Sequence, residues 1–168
     1  MPELKQLGYQ DEDAVLEYLK EWYDNDEQII PSNTDLAKYD SFKQMVDKLN
    51  KEEADANWVP TTTLFYFKDN QIVGAVDIRH KLNKRLTNIG GHVGYGVRKS
   101  YRGQGIASTM LTEAIKILKT LGVETVLMTC NPKNYASQAV MKHCGGYEIT
   151  PYTKKNGNLV SRFEITYE

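Results

Sequence analysis

The feature that most constrains this chain is a strand that passes through two glycines into a cationic turn and from there directly into a long amphipathic helix. The joint is Val97-Arg98-Lys99-Ser100-Tyr101-Arg102-Gly103-Gln104-Gly105-Ile106-Ala107. Upstream, His92 to Val97 reads as a strand, in which Gly94 and Gly96 mark a bulge or the close approach of another backbone. Downstream, Ile106, Met110, Leu111, Ala114, Ile117, Leu118 and Leu121 recur at spacings of three and four. Gly122 stops that helix, and Thr125 to Cys130 follows as a short apolar strand. A strand–helix–strand crossover favours a parallel pair. The expectation is an α/β protein with a mixed, mostly antiparallel central sheet, one parallel splayed strand pair, and flanking helices.

The turn itself reads as an anion cradle. Gly103 and Gly105 let consecutive N–H groups converge on one point, and the helix directs its unpaired N–H groups and positive dipole end there as well. That geometry suits a phosphate or pyrophosphate. An ordinary strand–turn–helix with solvated Arg and Lys has the same outline. The order of residues decides against other phosphate motifs: the Lys-Ser/Thr of a P-loop is missing, and Gly94-x-Gly96 lacks the third glycine of a dinucleotide fingerprint.

The rest of the chain supplies the other layers. Leu4 to Leu7 reads as a first strand, and Asp11-Glu12-Asp13 places negative charge at a helix start. Val15, Leu19, Trp22 and Tyr23 give that helix one apolar face, and Ser41 with Gln44 forms a capping box for a second helix carrying Phe42, Met45, Val46 and Leu49. The polar segment from Asp24 to Asp40 between them reads as irregular. Thr62 to Lys68 and Gln71 to Arg79 form a hairpin about Asp69-Asn70, and Lys81 to Asn88 reads as a basic loop. A helix from Ala136 to His143 and strands over Tyr147 to Thr150 and Ser161 to Tyr167 complete one domain of 168 residues.

Net charge is −1, so nothing in the bulk composition calls for nucleic acid or an anionic membrane as partner. No apolar run is long enough to span a bilayer and no leader pattern opens the chain, which makes the cytoplasm the expected compartment. Cys130 and Cys144 have no metal-ligand spacing, so no metal is expected. Edge strands leave a homodimer open.

Arg102-Gly103-Gln104-Gly105-Ile106-Ala107 fits Arg/Gln-x-x-Gly-x-Gly/Ala after a strand, and so resembles the acetyl-CoA signature of the GNAT superfamily of N-acetyltransferases. The order of elements over most of the chain is similar too, as are Asn134, Ser137 and Gly145-Gly146-Tyr147 after the fifth strand. Val59-Pro60, Arg79-His80-Lys81-Leu82-Asn83 and Gly90-Gly91-His92 are similar to a bacterial branch. The resemblance implies that Val97 and Lys99 offer backbone groups to the pantetheine, that Arg98 belongs to the same cofactor-binding stretch, and that Arg102, Gly103, Gln104, Gly105, Ile106 and Ala107 hold the pyrophosphate of acetyl-CoA. Ser108 would add a hydroxyl, and Asn134 and Ser137 would reach the pantetheine or thiol end; helix capping explains those two equally well. The implied reaction is direct attack of an acceptor amine, on a small molecule, on the acetyl thioester.

His92, with an ordinary pKa of about 6.5, is the candidate base, against a packed strand histidine. Tyr95 is a candidate donor to the thiolate, against a core aromatic. Arg79 and His80 are candidates for binding an acidic part of the acceptor, against simply rimming the sheet. Many family members carry a tyrosine on the short helix after the fifth strand as general acid, and here that place holds Met141. Met141 and the lack of an obvious base keep a non-catalytic acyl-CoA-binding module as a rival reading, and an aromatic and apolar lining near Trp58 and Phe65 keeps transfer of a longer acyl group as another.

Overall fold

A computed structural model describes residues 2–51 and 58–166. Strands β1 (Glu3–Lys5), β2 (Thr61–Lys68), β3 (Gln71–Arg79) and β4 (Val93–Val97) form one antiparallel sheet in that order. Strands β5 (Thr125–Cys130), β6 (Tyr147–Thr153) and β7 (Leu159–Thr166) form a second, also antiparallel, with β7 in the middle. Helices α1 (Glu12–Asp24) and α2 (Phe42–Asn50) precede β2. The short α3 (Lys84–Asn88) precedes β4, α4 (Ile106–Thr120) joins the two sheets, and α5 (Tyr135–His143) lies between β5 and β6.

Two apolar clusters hold these layers, and β3 contributes to both. Tyr18, Leu19 and Trp22 of α1 and Met45 and Leu49 of α2 pack on Phe65, Ile72 and Ala75. Met110, Leu111, Ala114 and Leu118 of α4 pack on Val73, Val76 and Ile78, together with Val126, Met128 and Phe163 of the second sheet. Residues such as Met110 and Leu111 are fully buried, each worth roughly 1.5–3 kcal/mol of transfer free energy. Met141 belongs to the same cluster at 2 % exposure, so packing explains an apolar residue there.

The parallel pair expected from the crossover is not present among the described residues. The sheets meet instead at one antiparallel bridge, Gly91 to Met128. The cause is local: Gly90 and Gly91 both take positive φ, and swing the chain across β5 just before β4 begins. The expected basic loop at Lys81 to Asn88 contains α3, because the Asn83 side chain accepts from Leu86 N–H and starts a turn. β6 runs to Thr153, past the expected Thr150, and β7 begins at Leu159. Tyr167, expected at the end of the last strand, lies outside the described residues.

Candidate active site

The register of β4 determines which of its backbone groups are free. Arg79 N–H donates to His92 O at 2.7 Å and Arg98 N–H to Val73 O at 3.0 Å. With Gly94 opposite Asp77 and Gly96 opposite Ala75, the even-numbered residues bond to β3. Antiparallel pairing alternates, so Val93, Tyr95 and Val97 turn their N–H and C=O groups to the open edge. That edge is one wall of a cleft of about 700 Å3, also lined by Trp22, Glu27, Ile30, the turn at Arg102 to Ser108, and Asn134, Ser137 and Val140 of α5.

At the floor of the cleft lies the start of α4. Its N-cap, Gly105, is left-handed at φ 81 and offers no side chain, and Gly103 is left-handed as well at φ 76. A Cβ at either glycine would meet nothing within 4 Å and would simply occupy the open space. Among the described residues, no protein acceptor takes the N–H groups of Gly103 to Ser108; the first bond of the helix runs from Thr109 N–H to Gly105 O. Unpaired N–H groups at a helix start are a binding surface for an anion.

The sequence reading made Arg102 a fixed cation for that anion. In the structure Nη1 and Nη2 donate to Glu27 at 2.8 and 3.0 Å, Nε donates to Val97 O at 2.8 Å, and the guanidinium lies 5.3 Å from the Trp22 ring centroid. Its charge is therefore balanced, and it braces the cleft wall. Arg98 points elsewhere: at 7 % exposure its side chain is held by Glu17 and Glu21 of α1, with Nη1 also donating to Ile72 O at 3.0 Å. Only its backbone stands near the cofactor turn. Lys99 and Gln104 are exposed and do not line the cleft.

On the roof, Asn134 caps α5 by accepting from Ser137 N–H at 3.1 Å, and also lines the cleft. Tyr95 Oη lies 2.9 Å from Ser137 Oγ. Burial raises the Tyr95 hydroxyl above its ordinary value, although the Ser137 bond pulls the other way. The phenol accordingly stays protonated at neutral pH, as a donor.

His92 serves a different purpose from Tyr95. Its N–H donates to Leu127 O at 2.7 Å, and its ring Nδ1 accepts from Leu127 N–H at 2.9 Å. The ring thus takes the place of a neighbouring strand at the point where β4 and β5 part. Nδ1 must be unprotonated to accept, which puts the neutral ring's hydrogen on Nε2. Burial, with Arg79 adding to it, lowers its pKa to about 4. The lone pair a general base would use is engaged, and the residue does not line the cleft.

A second cavity, of about 720 Å3, lies beside Gly94 on the α1–α2 side of the sheet. Ser32, Asn33 and Tyr39 from the segment joining those helices line it, with Thr63 of β2, Asp77 and Arg79 of β3, and Trp58. Arg79 lines this cavity. His80 does not, and its Nε2 lies 2.7 Å from Thr62 Oγ1. Asp77 shares a face of β3 with Arg79 and lines the cavity beside it. Asn33, Thr63 and Tyr39 carried no signal, because they come together only through the fold.

A profile of the GNAT acetyltransferase domain matches residues 3–146. The chain belongs to the GNAT acetyltransferase family. No curated protein sequence is a significant match. Among solved structures, a ribosomal-protein-S5-alanine acetyltransferase from Vibrio fischeri is 17 % identical with a TM-score of 0.73, covering 98 % of this chain and 92 % of that one. The microcin C7 self-immunity acetyltransferase MccE, solved with acetyl-CoA and AMP, is 17 % identical with a TM-score of 0.69, covering 99 % and 92 %. A GNAT-family acetyltransferase from Streptococcus pneumoniae is 19 % identical with a TM-score of 0.62, covering 99 % and 100 %. At these identities the likeness is one of fold.

The GNAT protein is an acetyltransferase that uses acetyl-CoA, and its residues fit that donor. The N–H groups from Gly103 to Ser108, which no described residue accepts, fit a diphosphate, and the open edge of β4 leaves both Tyr95 backbone groups and the Val97 N–H for an amide-bearing arm, Val97 O being taken by Arg102 Nε. Among the described residues, no helix is long and apolar enough to cross a membrane.

Proposed function

We propose that this GNAT protein transfers acetyl groups from acetyl-CoA to the primary amine of a small molecule that enters the second cavity. The observation that carries this reading is that β4 runs from the wall of the first cavity to the side chain that lines the second. Gly96 lies in the wall of the first, and Gly94, one side-chain period along the same face, lies against the Arg79 guanidinium that lines the second. Tyr95, between these glycines in sequence, lines the first cavity and turns its backbone to the cleft.

When bound, the thioester supplies an acetyl carbon that the amine's lone pair attacks, while the C–S bond breaks and its electron pair leaves on sulfur. Tyr95 and Val97 N–H are the backbone donors available to polarise a carbonyl at the open edge. Tyr95 Oη, held by Ser137, is placed to donate a hydrogen bond to the departing sulfur, a role the buried Met141 does not fill. Holding amine and thioester in line supplies much of the acceleration, up to roughly 7–11 kcal/mol of barrier. His92 acts as a positioning residue that sets where β4 and β5 separate.

The test is release of free thiol from acetyl-CoA across a panel of primary amines. Amine-dependent release with a stoichiometric N-acetyl product supports the reading. Binding of CoA with no turnover for any amine would leave a non-catalytic module. Substituting longer acyl-CoA donors checks the acyl end.

A further inference from the structure

Asp77 and Arg79 lie on one face of β3, are both largely withdrawn from water, and make no ion pair with each other. Asp77 is 5 % exposed. Its Oδ1 accepts from Thr63 Oγ1 at 2.8 Å and from Asn33 Nδ2 at 3.1 Å, while Oδ2 accepts from nothing among the described residues. Arg79 is anchored in the same half-finished manner. Its Nη1 donates to Gly90 O at 3.0 Å and Gly91 O at 3.4 Å, and its guanidinium carbon lies 6.0 Å from the Trp58 ring centroid. Nη2 has no partner among the described residues, and Nε is buried without one. Each group is fixed on one side and unanswered on the other.

Two desolvated opposite charges held apart in one cavity are costly unless a guest completes both. We propose that the acceptor is a zwitterion, a primary amine close to a carboxylate as in an α-amino acid, with its amine on Asp77 Oδ2 and its carboxylate on Arg79 Nη2. This rests on the second cavity being the acceptor site. A purely cationic amine would answer Asp77 and leave Arg79 facing a like charge. The described lining also carries Lys48, Lys51 and Arg85, and no carboxylate but Asp77, so a second positive group on the guest is disfavoured. A neutral amine would leave the guanidinium unanswered. Burial pushes the Asp77 carboxyl up, against the pull of Arg79 and of its two hydrogen bonds, which suits a group that takes a proton from an ammonium.

The test compares thiol release from acetyl-CoA with α-amino acids, their carboxamides and the corresponding decarboxylated amines, using the full-length wild-type chain. A charge-assisted contact to the carboxylate predicts kcat/KM about 10- to 100-fold higher for the amino acids than for the carboxamides. Arg79→Gln is expected to bring that ratio to about one, and Arg79→Lys to restore part of it. Carboxamides or decarboxylated amines that match the amino acids in the wild type overturn the inference and leave acetyl transfer standing. So does a preference that survives Arg79→Gln. No acetylation of any amine, with CoA binding intact by calorimetry, overturns both.

Discussion

Replacing His92 with Asn asks whether that ring holds the strands apart or moves a proton. An Asn side chain keeps an acceptor near the position of Nδ1 and does not titrate. In the native protein the ring is neutral, with a pKa near 4 against 6.5 for the free side chain. The folded value lies below the unfolded one, so on acidification the unfolded chain binds the proton first. Stability from this group is complete above about pH 6.5 and falls as pH drops toward the folded value. Each pH unit inside that window removes up to about 1.4 kcal/mol, which sums to about 3 kcal/mol by pH 4. Urea melts at about pH 7.5 and about pH 4.5 would therefore show the wild type losing about 2.5 kcal/mol more than His92→Asn, contributions from distant carboxylates cancelling in the difference. At about pH 7.5 the variant should retain most of its turnover, because the acceptor for Leu127 N–H is kept. Equal acid losses in the two proteins, or a His92 ring that titrates near 6.5 by NMR, would refute the wedge. A turnover loss in the Asn variant as deep as that of His92→Ala would return the ring to the chemistry.

Gly105→Val places a branched side chain at φ 81 and in the space over the free N–H groups. It should lower stability by roughly 1–2 kcal/mol and remove the CoA-induced thermal shift, leaving the far-UV spectrum unchanged. Arg98→Ala leaves Glu21 with only its Ser100 bonds and removes the arginine tie between α1 and the end of β4, and should cost about 1.5–3 kcal/mol in urea melts with little change in CoA affinity for the folded fraction. Tyr95→Phe should lower kcat by roughly 100-fold with KM for acetyl-CoA nearly unchanged, and a poorer leaving thiol should widen the gap.

The four longer helices, the hairpin and the cofactor turn were legible because each depends on near neighbours in sequence. The spacing of Ile106, Met110 and Leu111, the cap at Ser41 and the glycines at 103 and 105 act within a turn or two of themselves. The parallel strand pair was misread because Gly90 and Gly91 reorient the chain before β4, an effect that shows only against β5. Arg102 and Arg98 flank one turn, and the family resemblance assigned both to the cofactor. What separates them is that Glu27 meets one in the cleft wall, and Glu17 and Glu21 bury the other beneath α1, each more than 70 residues away.

Local chemistry by itself therefore determined that a glycine turn and a helix start follow an apolar strand, and with that pattern the family resemblance. Tertiary structure decided which charges remain available. Whether an arginine, a histidine or an aspartate reaches a ligand depends on the partners that folding brings to it from distant segments, and those pairings follow from packing the two apolar clusters. Thus His92 is closed off by Leu127, Arg102 is balanced by Glu27, and Asp77 and Arg79 are left facing the same cavity, each with a hydrogen-bonding position that no described residue fills.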